Sequence, residues 1–196
     1  CCVHGIDQAQ IVAGDPTVIL GGGPIGLILL QLAKHAGAAP LVLVEPKGNK
    51  RELARALGAD ATIDPSGKSD AELEKEVEAA TDGGAQIVVE ASGNPDAARL
   101  ALRLPRPGGT VLFFGVQAQD LELTIKPFDI YHREVAIKGA YTNPLTDSRA
   151  RQMLVSGRVQ VLPLITHRFR LEEISGGLDA VRRGETIKAV VMPQLR

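Results

Sequence analysis

The segment Gly21-Gly22-Gly23-Pro24-Ile25-Gly26 constrains this chain more than any other stretch. It follows a short apolar run, Thr17-Val18-Ile19-Leu20, and opens a longer one, Ile25 to Ala36. An apolar strand, a glycine turn and then a helix form one half of a strand–helix–strand unit, which commits the neighbouring chain to a parallel sheet. Within the turn, Gly21 permits the tight reversal, Gly23 lets a ligand approach the backbone, and Gly26 allows the helix to pack close. The free N–H groups at the start of such a helix favour a negatively charged guest.

The rest of the chain continues the rhythm. Strands are expected at Thr17–Leu20, Leu41–Val44, Ala61–Ile63, Ile87–Val89, Thr110–Phe114 and Val135–Ala140, mostly as continuous apolar runs that suit burial on both faces. Helices are expected at Ile25–Ala36, Lys50–Leu57, Asp70–Ala80 and Pro95–Leu102, the first two stopped by Gly37 and Gly58. This is an α/β fold, a doubly wound parallel six-stranded Rossmann sheet in the order 3-2-1-4-5-6. After Ala140 the pattern changes. Tyr141-Thr142-Asn143-Pro144 reads as a break, followed by a helix near Thr146–Ser156 and a proline-containing stretch from Val159 to Phe169. A last helix over Leu171–Arg182 and a strand at Lys188–Val191 complete a C-terminal helical and strand extension. The division follows as residues 1–143 for the Rossmann domain and 144–196 for the extension, which is too short for a sizeable domain of its own.

The strand Leu41-Val42-Leu43-Val44 ends in Glu45, about twenty residues beyond the glycine turn, where a dinucleotide site carries an acidic residue. Glu45 is suited to accept hydrogen bonds from both hydroxyls of an adenosine ribose and to repel a 2′-phosphate, which favours NAD over NADP. Lys47, Lys50 and Arg51 follow it and read first as the solvated basic start of the next helix. Glu90-Ala91-Ser92-Gly93 and Phe114-Gly115-Val116 end the fourth and fifth strands, on the side of the sheet where ligands collect. Each serves equally well as a plain strand-to-helix turn.

Composition excludes several alternatives. The net charge is −1, so neither nucleic acid nor an anionic membrane is an expected partner. Aromatic residues are only 3% and Trp is absent, which removes the stacking platforms of single-strand binders. Cys1 and Cys2 are the only cysteines and form no disulfide framework, so a reducing, cytoplasmic setting is expected. The first residues do not read as a signal peptide, and a start without Met reads as a piece of a longer polypeptide. His4, His35, His132 and His167 are scattered, and no metal-ligand group or catalytic constellation stands out.

Taken together, the chain resembles the coenzyme-binding half of zinc-dependent medium-chain alcohol and polyol dehydrogenases, in the branch of sorbitol and threonine dehydrogenases. The resemblance is carried by the glycine turn, Glu45-Pro46, Glu90-Ala91-Ser92-Gly93, and Arg106-Pro107-Gly108-Gly109-Thr110-Val111. Ile137-Lys138-Gly139, Pro163-Leu164-Ile165-Thr166-His167 and Glu185-Thr186-Ile187-Lys188 extend it to the end of the chain. It implies a cofactor site in which Gly21 makes the turn, Gly23, Pro24 and Ile25 face the pyrophosphate, and Glu45 and Lys50 face the ribose. It puts Ser92 and Gly93 near the adenosine, its ribose or the pyrophosphate, the backbone of Phe114, Val116 and Tyr141 against the nicotinamide and its carboxamide, with Gly115 in the same cofactor-binding turn, and Lys188 on the pyrophosphate.

The resemblance further implies an oxidoreductase moving hydride between a small alcohol or polyol and NAD, in a homo-oligomer. Zinc is expected only in the full-length protein, through ligands outside this chain; the last of them, often a Glu, would fall just before Cys1. The isolated chain is then expected to be inactive. Two alternatives remain at this point: a stand-alone nucleotide-binding or redox-sensing module, and a zinc-free NADP-dependent reductase of the same superfamily.

Overall fold

The computed structural model describes residues 1–193. The chain opens with helix α1 (Cys2–Ala9) and then alternates β1 (Thr17–Leu20), α2 (Pro24–Ala36), β2 (Leu41–Val44), α3 (Gly48–Ala56) and β3 (Ala61–Ile63). A second half follows: α4 (Asp70–Ala80), β4 (Ala85–Glu90), α5 (Pro95–Ala101), β5 (Pro105–Phe113), α6 (Pro127–Arg133) and β6 (Ala136–Gly139). The six strands form one parallel sheet in the order β3-β2-β1-β4-β5-β6, as the apolar runs predict.

Side chains on successive strand residues point to opposite faces, and the two faces build two cores. Ile19, Leu41, Leu43, Ile87, Val89 and Leu112 pack with α1, α2 and α3 residues such as Val3, Leu27, Leu30 and Ala54. Their neighbours Val18, Leu20, Val42, Val44, Val88 and Val111 pack the other way, against Leu73 and Val77 of α4 and Leu100 of α5. Helix starts are chemically marked. Pro24 and Pro95 occupy first-turn positions, the Asn94 side chain accepts from the Asp96 and Ala97 N–H groups, and Ser69 with Glu72 forms a capping box on α4.

The C-terminal extension contains α7 (Asp147–Val155), a 3-10 turn at Leu162–Leu164, β7 (Ile165–Phe169), a second 3-10 turn at Leu171–Glu173, α8 (Ile174–Arg182) and β8 (Lys188–Val191). Strands β7 and β8 pair in parallel as a separate two-stranded sheet. Val159, Leu164 and Ile187 nevertheless join the core that covers α2. The buried Gln31 of α2 donates to the Gln160 carbonyl and accepts from the Gln160 N–H, at 3.1 and 2.7 Å.

Two helices and a longer strand escape the apolar periodicity. In α1, Gly5 interrupts the pattern, yet any Cβ there would lie 2.6 Å from the Phe114 ring, so the helix needs glycine at that contact. Helix α6 buries no residue, leaving nothing periodic to read. Strand β5 starts at Pro105, earlier than Thr110, and Pro105 still pairs with Ala85 at the sheet margin, where β4 and β5 slip register. No helix among the described residues is long and apolar enough to cross a membrane.

Candidate functional site

The strand order reverses between β1 and β4, and both strands end at the same rim. A parallel sheet opens a crevice at that reversal, and its helix N-termini point into it. Gly21 follows β1 with φ +108, a conformation that only glycine adopts without strain. Its N–H continues the ladder to the Val44 carbonyl at 2.9 Å. A Cβ on Gly26 would stand 1.9 Å from the Gly21 carbonyl oxygen, so the glycine demand at this position comes from the turn's own backbone more than from the sheet. Around Gly23 the situation is opposite. A Cβ there would meet nothing within 4 Å, and no side chain caps the helix that begins at Pro24. An uncapped 13-residue helix with open space before it suits a phosphate.

Glu45 directly follows β2 and is 5% exposed. Its Oε2 accepts the Gly22 N–H at 2.7 Å and its Oε1 the Lys47 N–H at 3.0 Å, while Lys50 Nζ stands 4.0 Å from Oε1. A carboxylate offers about four lone-pair sites, so about two remain for a guest. Arg51 is engaged elsewhere: it donates to the carbonyls of Glu45 and Pro46, both at 2.7 Å, and pairs with Asp64 at 2.9 Å. The Ser66 backbone N–H chiefly, helped by the Ser66 hydroxyl and Arg51, holds the Asp64 carboxyl below its ordinary range. Gly21, Glu45, Pro46, Ser92 and Asn94 line one cavity of about 550 Å³. A larger hollow of about 700 Å³ between α4, α5 and α6 adjoins this cavity at Asp70 and Arg99, and another of about 630 Å³ lies between α1, α2 and α7.

The rim of β4 holds a second buried carboxylate that the motif reading passed over. Glu90 is fully buried, and its Oε1 accepts the Ser92 N–H at 2.7 Å, the Ser92 hydroxyl at 2.5 Å and the Gly93 N–H at 2.9 Å. Its Oε2 accepts the Gln117 amide at 2.9 Å. The signal lay in the sequence: an acid closing the otherwise apolar strand Ile87-Val88-Val89 has to find donors.

The remaining expected residues fall into two groups. Gly93, Gly115 and Val116 interlock, since a Cβ on Gly93 would lie 2.7 Å from the Val116 carbonyl oxygen and one on Gly115 2.4 Å from the Gly93 nitrogen. The Val116 and Tyr141 side chains are exposed beyond β5 and β6, while the half-buried Phe114 ring leans on α1. Ile25 is exposed in the first turn of α2. Lys188 stands on β8, exposed, and no hydrogen bond or ion pair among the described residues ties it to the glycine turn. No three His, Cys, Asp or Glu side chains among the described residues gather as a metal centre, so a zinc ion does not fit this chain's own residues. His35 hydrogen-bonds the Arg158 carbonyl at 2.7 Å, and His132 and His167 stack on Phe128 and Phe169.

Residues 24–155 match the family of zinc-binding dehydrogenases. The chain belongs to that family. D-arabinitol dehydrogenase 1 of Uromyces fabae is 32% identical over 194 residues, covering 98% of this chain and 56% of its relative. Sorbitol dehydrogenase of Ovis aries is 31% identical over 192 residues, covering 96% and 53%. Among solved structures, one described as a zinc-binding dehydrogenase from Sinorhizobium meliloti 1021, bound to NADP, superposes with a TM-score of 0.88 at 36% identity. It covers 98% of this chain and 56% of that one. An alcohol dehydrogenase from Thermotoga maritima gives a TM-score of 0.88 at 28% identity, covering 98% and 54%. This member of the zinc-binding dehydrogenases thus spans about half the length of the relatives it matches. Its fold and its oxidoreductase kinship are those of the alcohol and polyol dehydrogenases.

Proposed function

We propose that this chain is the NAD(H)-binding unit of an oxidoreductase that moves hydride between an alcohol or polyol and the nicotinamide. The observation that carries the reading is Glu45: a buried carboxylate beside the glycine turn, with two backbone donors satisfied and about two lone-pair sites left over. Two vicinal ribose hydroxyls are the guest that fits those sites. A 2′-phosphate would bring a second anion against the carboxylate, which favours NAD over NADP.

The NADP bound to the Sinorhizobium meliloti relative supports the other preference, and Lys47 and Lys50 are the cations that would serve it. Arg51 is already committed to Asp64 and two carbonyls, which weighs against it.

The chemistry assigned to this chain is binding and orientation. The uncapped start of α2 holds the pyrophosphate, Glu45 with Lys50 beside it holds the ribose, the turn after β4 lies near the adenosine, its ribose or the pyrophosphate, and the loop after β5 flanks the nicotinamide. Once bound, the nicotinamide supplies the hydride-carrying carbon. In our reading residues 1–143 form this unit, and residues 144–196 brace it and return toward the substrate half of a longer, homo-oligomeric protein. Titration of the chain with NADH, followed by the coenzyme's fluorescence, is expected to show saturable binding. Assays with polyols and added zinc are expected to show no turnover. Zinc-dependent polyol oxidation by this chain alone would contradict the division of labour, and a flat NADH titration would contradict the binding site.

A further inference from the structure

The two halves of the rim are built differently. On the β1–β2–β3 side, Glu45 faces a cavity that Ser92 and Asn94 close from across the rim. On the β4–β5–β6 side, which takes the second nucleotide of a dinucleotide, two turns from distant parts of the sequence are fastened together. Ser92 and Gly93 belong to the turn after β4, and Gln117 to the loop after β5. Glu90 receives donors from both, and parallel pairing of Glu90 with Phe113 brings the turns side by side. A carboxylate only accepts, so the Gln117 amide must turn its NH₂ inward. The Gln117 Oε1 is then left buried without a hydrogen-bond partner. A polar atom left in that condition costs stability, and here the cost accompanies a contact that closes the rim.

We propose that Gln117 is a positioning residue for the nicotinamide half of the cofactor: through Glu90 it ties the loop after β5 to the turn after β4, so that the two present a single preformed wall. The proposal rests on the dinucleotide reading of the site. Its spatial economy is tight. A Cβ on Gly115 would stand 2.4 Å from the Glu90 carboxylate oxygen and from the Gly93 nitrogen, so the loops touch without intervening side chains. The turn after β4 reaches the 550 Å³ cavity beside Glu45 through Ser92 and Asn94, while Gln117 and the loop after β5 do not, so loss of the tie is expected to weaken the nicotinamide half more than the adenosine half.

The test compares NADH with ADP-ribose, which keeps the adenosine and pyrophosphate but lacks the nicotinamide. Affinities of the wild-type chain, Gln117→Ala and Gln117→Glu are measured by calorimetry, with a thermal melt for each. Gln117 sits half-exposed in a loop, so both variants are expected to melt near the wild type. Gln117→Ala is expected to bind NADH about tenfold more weakly, the equivalent of one lost hydrogen bond to a charged group, while ADP-ribose binding stays within about twofold. Gln117→Glu, which sets one carboxylate against another, is expected to lose at least as much NADH affinity. Unchanged NADH affinity in either variant, equal losses for the two ligands, or equal wild-type affinities for them would overturn the proposal while leaving the cofactor site standing. Wild-type binding of neither ligand would overturn the cofactor site and the proposal together.

Discussion

Glu45 and Glu90 occupy comparable places, Glu90 closing β4 and Glu45 directly following β2, yet they are used in opposite ways. Glu90 accepts four hydrogen bonds, three from its own turn and one from Gln117. Its capacity is filled, and it contributes to architecture. Glu45 accepts two backbone donors and faces a cavity. Its remaining capacity points to a guest. Burial alone therefore does not distinguish a binding carboxylate from a structural one; the count of donors already satisfied does.

The comparison is sharpest in unfolding. Removing Glu90 takes the acceptor from three part-buried donors of one turn and from the Gln117 amide, so Glu90→Ala is expected to lose about 3 kcal/mol in urea denaturation. Glu45→Ala, which frees two donors beside an open cavity, is expected to lose about 1 kcal/mol. Equal losses would erase the distinction. Ser92→Ala removes one donor from the filled carboxylate and is expected to cost about 1 kcal/mol, read by the same denaturation curve. The smallest effect belongs to Lys50, 4.0 Å from Glu45. Lys50→Ala is expected to shift stability by no more than about 0.5 kcal/mol, and that shift should vanish at high salt.

Much of this arrangement was legible in the sequence. The central strands β1, β2 and β4 announce themselves as apolar runs buried on both faces, the outer β3 and β6 less so, and the 3-2-1-4-5-6 order follows from helical crossovers of one hand. The glycine turn and Glu45 were legible because their spacing is local and stereotyped. Glu90 was visible only as the end of a strand, and Gln117 not at all, because their contact is made by strand pairing across 27 residues. Helix α1 was hidden by Gly5, whose smallness answers to Phe114, more than a hundred positions away. The parallel pairing of β7 with β8 was hidden because neither strand carries a fully buried run.

The most direct measurement of the central claim is a paired titration of the wild-type chain and Glu45→Ala with NADH and NADPH, followed by coenzyme fluorescence. The account predicts that the wild type prefers NADH. It predicts that Glu45→Ala loses about tenfold in NADH affinity, the loss of hydrogen bonds to a charged group, and with it most of the preference over NADPH. Wild-type preference for NADPH, or a Glu45→Ala chain that binds NADH as the wild type does, would contradict it.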